Sequence, residues 1–525
     1  MIRKLISSLC LFTLSVTGAQ NAAPKAAAAR PRLVLAIMVD QFRYDYLTRF
    51  REQYNSGLDR LLRQGAVFTN AHYEHFPTVT AIGHSTFLSG ATPSISGIVG
   101  NEWYDRQLHK QVTSVWDPNY QLLGAKGEAA SPRNLLVSTI GDELKMSGRD
   151  KPKVVGISIK DRSAILPVGR MADGAFWFDN KTGNFVSSTY YFPALPAWVE
   201  EFNRSRIADK FVGAAWVPVD DPKAKPFLTM TPALDEKHWA AMQRTPFGNE
   251  LLELLAEKAV VAEKLGQGPA TDLLSVSFSS NDYIGHDVGP DSPRVRDISI
   301  RTDRLLGKLF QFLDTRIGMQ NILVVMTADH GVAPLPELMR ERKMPGGRIS
   351  EKTVHAKVEE RLTHLYGAGK WVAGKSGPAP YLDHELIAGK KLDAVEVRRQ
   401  AAEAVRLIPH ILRVYTRDQL AAGMAGQDQV DMRVRAGFQA QRAGDLFIVS
   451  EPYWFFEEKG TSHGTPFNYD SHVPVIFMGW GIKAGRFHDR AAVNDIAPTL
   501  ATLLGVETPS GSVGRVLVEA MAAGR

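Results

Sequence analysis

Cysteine is nearly missing from this chain. The single one, Cys10, lies inside an apolar amino-terminal run from Leu5 to Val16 and follows Leu9 rather than a small residue, a placement that does not suit lipidation. Without that run the protein has no thiol. Neither disulfides nor thiolate ligands can then hold it together, and any metal must be bound through His, Asp or Glu. Long hydrophobic runs are missing too, because after the first 19 residues none reaches the ~20 apolar residues that cross a bilayer. Nor does charge of one sign dominate. The formal net charge of +6 becomes +4 without Arg3 and Lys4, and basic and acidic residues are interspersed, which is not a nucleic-acid-binding pattern.

What is present begins with an export signal. Arg3 and Lys4, the apolar run and the small residues Thr17, Gly18 and Ala19 make residues 1–19 a secretory signal peptide, and predict a periplasmic or secreted protein starting near Gln20. Residues 20–31 are Ala-rich with Pro and read as a flexible leader. Residues 32–525, in a chain that is 44% hydrophobic, are ample for one large core. Four near-continuous apolar runs, Leu33 to Val39, Val154 to Ile159, Leu273 to Phe278 and Ile322 to Met326, each end in a polar cluster. Such runs suit strands buried on both faces. Helical patterns over Gly57 to Arg63, Arg294 to Leu313 and Asn494 to Leu504 alternate with them. The fold class is therefore α/β, a mostly parallel sheet flanked by helices, with ligands expected beyond the carboxyl ends of the strands. Stretches from about 171 to 249 and 334 to 444 break the rhythm and are expected to be insertions over that edge.

The polar clusters carry chemistry. Asp282 and His286 are four apart after one strand, so one helical turn presents both to one ligand. Asp329 and His330 end another strand, Asp40 a third, and His463 lies in the Gly-flanked segment Thr461-Ser-His-Gly464. These N and O donors suffice for two metals and suit zinc. Thr80, in Phe76-Pro-Thr-Val-Thr-Ala-Ile-Gly-His84, falls in the first turn of an expected helix, where anions are favoured. A metal would make its hydroxyl a nucleophile, while the capping role fits Thr78 better. Lys160 and Arg162, two apart, lie on one side of an extended segment and can grip one phosphoryl group.

The motifs PTVTAIGH, GNEWYD, KDR, NDYIGH, ADHG and GTSHG, in this order between Asp40 and His463, resemble the alkaline phosphatase superfamily. They are most similar to its bacterial, phosphate-irrepressible branch of the PafA type, with a threonine nucleophile. The resemblance implies a three-layer alkaline-phosphatase-like fold with inserted cap segments. It implies two zinc ions, one on Asp40, Thr80, Asp329 and His330, the other on Asp282, His286 and His463. His463 is preferred over His472 because its loop matches the family's element. Asn101 would join Lys160 and Arg162 on the phosphoryl oxygens. The implied reaction is hydrolysis of small phosphate monoesters through a phosphothreonine on Thr80, releasing inorganic phosphate, by a monomer. A phosphodiesterase or nucleotide pyrophosphatase of the same superfamily remains an alternative, as does a non-catalytic exported zinc-binding protein. A sulfatase is disfavoured by Thr80 and by the missing cysteine.

Overall fold

The computed structural model describes residues 30–522 except Ala129 and Ala425. The expected signal peptide and nearly all of the expected leader lie outside the described residues. Ten strands form one sheet: β1 (Leu33–Val39), β2 (Ala66–Phe68), β3 (Leu122–Leu123), β4 (Val154–Ser158), β5 (Gly174–Phe178), β6 (Phe185–Ser188), β7 (Asp272–Phe278), β8 (Ile322–Thr327), β9 (Val475–Gly479) and β10 (Gly485–Phe487). Their spatial order is β10-β2-β9-β8-β1-β7-β4-β5-β6-β3.

The middle of the sheet, β8-β1-β7-β4-β5, is wholly parallel, and the antiparallel pairings lie toward the edges. Every residue of β1, β4, β7 and β8 is buried, which is why these strands read as continuous apolar runs rather than alternating ones. Register aligns their ends. Val39 pairs with Phe278, Met38 with Thr327 and Ser277 with Ser158, so the polar residues after all four strands emerge at one edge.

Helices cover the sheet. Six of them are α1 (Gly57–Gln64), α2 (Thr80–Ser89), α3 (Asp161–Ile165), α4 (Ser280–Val288), α5 (Pro293–Arg316) and α6 (Ile496–Leu504), of which α2, α3 and α4 start at the carboxyl edge. In α1 the apolar face Leu58, Leu61 and Leu62 is buried. Its amino terminus is capped from outside. The buried Asp303 of α5 accepts hydrogen bonds from the backbone N–H of Asn55, Ser56 and Leu58 at 2.7–3.0 Å, satisfying donors that a helix leaves unpaired. Among the described residues no helix is long and apolar enough to cross a membrane.

The stretch from about 171 to 249 differs from expectation. It opens with β5 and β6, both buried strands of the central sheet, and only the part after them lies outside it. Their short aromatic sequence, Gly-Ala-Phe-Trp-Phe in β5, lacks the β-branched aliphatic run that marks the other parallel strands. The stretch from 334 to 444 holds two long helices, Glu351–Tyr366 and Ala394–Arg406, and the hairpin Val372–Ser376 with Ala379–Leu382. With the strand pair Ile411–Thr416 and Leu446–Ser450 they form a cap around a separate apolar core that includes Trp371, Val397 and Val405. Buried Asp445 ties this cap to Arg106 outside it at 2.7 Å and meets His384 within it at 2.9 Å.

Candidate active site

At the carboxyl edge of the parallel strands the backbone delivers four polar groups into one buried space. Asp40 follows β1, Asp329 follows β8, Lys160 follows β4, and Asp282 sits in the first turn of α4 after β7. All four are at least 96% buried. Lys160 Nζ lies 2.6 Å from Asp282 Oδ2 and 3.0 Å from Asp40 Oδ2. Arg162 is not on the same extended segment, as spacing alone suggests. The chain turns directly into α3, so Lys160 is the N-cap and Arg162 lies in the first turn. Among the described residues the Arg162 guanidinium meets only a distant carboxylate, Asp161 at 3.6 Å, and its Nε is buried without a hydrogen-bond partner.

Three histidines enter with one shared geometry. His286, one turn after Asp282, donates from Nδ1 to Thr461 O at 2.8 Å. His463 donates from Nδ1 to Thr78 O at 2.8 Å, and His330 from Nδ1 to Gly331 O at 2.9 Å. Each carbonyl fixes the proton on Nδ1 and leaves the Nε2 lone pair as the inward-facing group. Those lone pairs converge. His463 Nε2 is 3.2 Å from His286 Nε2, His286 Nε2 is 3.2 Å from Asp282 Oδ1, and His330 Nε2 is 3.2 Å from Asp329 Oδ2. Acceptors facing acceptors at this distance repel unless a proton or cation stands between them.

The titration behaviour follows from that crowding. Burial alone would raise Asp282, but Lys160 and His286 hold it well below the usual carboxylate range. Burial alone would lower His286, yet Asp282 lifts it to about 9. His330 is raised against its burial by Asp329. His463 runs the other way: burial, with His330 and His286 beside it, pushes it well below the usual imidazole range.

Two groups of side chains place their ligand atoms within 4.8 Å of one another: Asp282, His330 and His463, and Asp40, His84 and Asp329. This partition differs from the expected one, which joins His330 to Asp40 and Asp329, sets His286 with Asp282 and His463, and does not include His84. The difference is one of reach. His330 stacks on His463 with ring centroids 3.4 Å apart while its Nε2 touches Asp329, so it borders both groups. His472 lies elsewhere, stacked between Tyr44 and His72 and bonded to Thr69 O.

Thr80 is the first residue of α2, and its Oγ1 lies 3.5 Å from His330 Nε2. Thr78 is turned away, its hydroxyl donating to Thr465 O at 2.9 Å. It is not the cap: the N-cap is Val79, without a side-chain bond. Asn101 supplies one from outside, its Oδ1 accepting from the Ala81 N–H at 2.8 Å.

Three supporting residues escape the sequence reading. Gln41, at φ +60°, bridges the two halves of the site: its backbone N–H donates to Asp329 Oδ1 at 2.9 Å and its side-chain amide to Asp282 Oδ1 at 2.6 Å. Ser277 in β7 donates to Asp40 Oδ1 at 2.7 Å. His84 donates from Nδ1 to Thr80 O at 2.9 Å, its Nε2 lies 2.8 Å from Ser277 Oγ, and burial lowers its pKa. The same one-turn spacing that singles out Asp282 and His286 relates Thr80 to His84, and was the signal available.

Thr80, on a helix amino terminus, thus lies beside two groups of Asp and His side chains that could hold a metal. Residues 34–472 match the family model for type I phosphodiesterase / nucleotide pyrophosphatase. The chain belongs to that family, within the alkaline phosphatase superfamily. Among curated relatives it is 37% identical to alkaline phosphatase PafA of Elizabethkingia meningoseptica, over 97% of this chain and 98% of that protein. It is 36% identical to alkaline phosphatase PhoV of Synechococcus elongatus over 99% of both chains. The crystal structure of PafA superimposes with a TM-score of 0.87, covering 94% of this chain and 100% of PafA.

Proposed function

We propose that this protein is an exported, zinc-dependent alkaline phosphatase that hydrolyses phosphate monoesters through a phosphothreonine on Thr80. The observation that carries the reading is the convergence of His286, His330 and His463 Nε2 with Asp282 and Asp329, with the Thr80 hydroxyl 3.5 Å from His330 Nε2. Whole-length similarity to proteins named alkaline phosphatases supports the same activity.

The donor set fits zinc. It consists of imidazole nitrogens and carboxylates with no thiolate, and the buried Asp329 Oδ2 accepts no hydrogen bond. Asp40, Thr80, Asp329 and His330 would hold one ion and Asp282, His286 and His463 the other, with His84 supporting the first group through Thr80 and Ser277. Zinc bound there would act as a Lewis acid, neutralising phosphoryl charge and making hydroxyl and water protons easier to lose.

The remaining chemistry belongs to the chain. Thr80 Oγ1 attacks phosphorus in line, the ester oxygen departs with a proton as an alcohol, and the phosphoryl group is left on Thr80. Water then attacks that phosphothreonine, restoring the hydroxyl and releasing inorganic phosphate. Lys160 and Arg162 neutralise the unesterified oxygens, and Asn101, whose carbonyl end is held by Ala81, turns its amide N–H toward them.

The matching family model favours a second reading, diester hydrolysis. The proposed role of Lys160 and Arg162 on the terminal oxygens argues against it, since a diester carries less charge and one more organic group. The test compares phosphate release from an aryl phosphate monoester with turnover of the matching diester by the purified protein. A larger kcat/KM for the monoester is expected. A preference for the diester would establish the other reading.

A further inference from the structure

Next to the candidate site lies a cavity of about 390 Å³, within the range of small-molecule sites. Asn101 and His463 line it, so it is continuous with the proposed phosphoryl position. Its remaining walls are mostly apolar. Phe76 enters from the loop before α2, and Phe447, Trp454 and Phe456 come from the cap side.

The charge on this lining has one sign. Glu102, Glu351 and Glu457 border the cavity, and among the described residues no Lys or Arg does. Lys375, outside the lining, neutralises Glu351 at 2.7 Å. Glu457 accepts a hydrogen bond from Ser462, next to His463. Glu102 is exposed at the start of the strand Glu102–Asp105, directly after Asn101. Lys160, between Asp40 and Asp282, and Arg162, beside Asp161, do not line it.

We infer that this cavity receives the alcohol portion of the substrate, and that it selects phosphate monoesters whose alcohol is uncharged with an aromatic or apolar face over esters whose alcohol carries a second phosphate. The inference rests on the monoesterase reading above. An aromatic group there exchanges water for contact with aromatic walls. A second phosphate would instead enter a partly dry cleft bordered by carboxylates with no cation to pair it, which costs free energy whether or not it is protonated. The cap thus distinguishes leaving groups by charge, while Lys160, Arg162 and Asn101 hold the part common to all of them.

The test measures kcat/KM by phosphate release for two substrate pairs. Naphthylmethyl phosphate against ethyl phosphate probes the aromatic walls, and hexyl phosphate against the corresponding hexanediol bisphosphate probes charge at constant alkyl length. Wild type should favour the first member of each pair. Phe76→Ala should lower the naphthylmethyl-to-ethyl ratio about fivefold, the scale of one aromatic pairing. Glu102→Lys should raise the bisphosphate-to-hexyl ratio about threefold, the scale of one exposed charge pairing. Turnover of ethyl phosphate reports whether each variant is folded and competent, and Phe456→Ala repeats the first arm should Phe76→Ala fail to fold. Ratios unchanged in these variants, with ethyl phosphate still hydrolysed, would overturn the inference and leave the monoesterase reading standing. Absence of phosphate release from every ester by wild type would instead remove the monoesterase reading and this inference with it.

Discussion

Adding one methyl group at Gly83 should disable catalysis with little loss of fold. Gly83 lies on α2 three residues after Thr80, where the helix presses against the backbone of Asp329. A Cβ there would stand 2.3 Å from Asp329 O, 2.7 Å from its Cα and 2.8 Å from its carbonyl carbon. Backbone cannot rotate away as a side chain can, so α2 and the β8 end must separate by about 1 Å to reach ordinary contact, a displacement that costs on the order of 100-fold when it falls between reacting groups. The stability cost is smaller. Overpacking amounts to about 1–3 kcal/mol, offset by roughly 1 kcal/mol from the better helix propensity of Ala. Gly57→Ala provides the control, since a Cβ at Gly57 meets Leu306 Cβ at 2.4 Å and Gly307 N at 2.5 Å, an equally tight approach between α1 and α5. Steady-state phosphate release from an aryl monoester and thermal unfolding, both at matched zinc, separate the effects. Gly83→Ala should lose about two orders of magnitude in kcat/KM, and Gly57→Ala should lower only the melting temperature. Gly83→Ala activity within a few-fold of wild type, or an equal loss in both variants, would refute the argument.

Other outcomes follow from the same geometry. Thr80→Ala should abolish nearly all turnover while the protein folds and binds zinc, whereas Thr78→Ala, which removes one hydrogen bond to Thr465, should be mild; the reverse result in rate assays would move the nucleophile to Thr78. Replacing Lys160 and Arg162 together by Ala should slow monoester far more than diester hydrolysis, because their charge-assisted hydrogen bonds to phosphoryl oxygens are worth several kcal/mol in sum, and each ~1.4 kcal/mol is about tenfold in rate; an unchanged ratio of specificity constants would reduce the pair to a structural role. Burial pushes the Asp470 carboxyl up to about 7, against two hydrogen bonds from Thr465. Because the folded state holds this proton more tightly, its stabilisation is complete below the unfolded pKa near 4 and is lost as pH rises to about 7. Thermal melts should therefore show wild type losing more stability than Asp470→Asn between pH 4 and 7, and parallel profiles would mean that Asp470 is ionised throughout.

The parallel centre of the sheet was legible because burial on both faces writes a continuous apolar run, as in Leu33–Val39, and because each run ends in residues too polar to continue it. The edge strands were not. Ala66–Phe68 has three residues, too few for any periodicity, and β5, although in the parallel centre, carries Gly-Ala-Phe-Trp-Phe in place of a β-branched run and escapes the same reading. The same division runs through the site. Asp282 with His286 and Asp329 with His330 announce themselves by local spacing, whereas Gln41 acts on Asp282, 241 positions away, and Ser277 on Asp40, 237 away. Their roles exist only once the strands align. The placement of Arg162 in a helix rather than a strand extension depends on where β4 stops, a boundary that composition does not mark.

The claim that converging Nε2 lone pairs and carboxylates form a zinc site driving phosphoryl transfer is tested most directly by metal removal and return. Purified protein is assayed for phosphate release from an aryl monoester before chelation, after it and after addition of Zn²⁺, with metal content measured in each state. The account predicts about two ions per chain at full activity, loss of both metal and turnover on chelation, and recovery of both with zinc. Full activity in a metal-free preparation would contradict it.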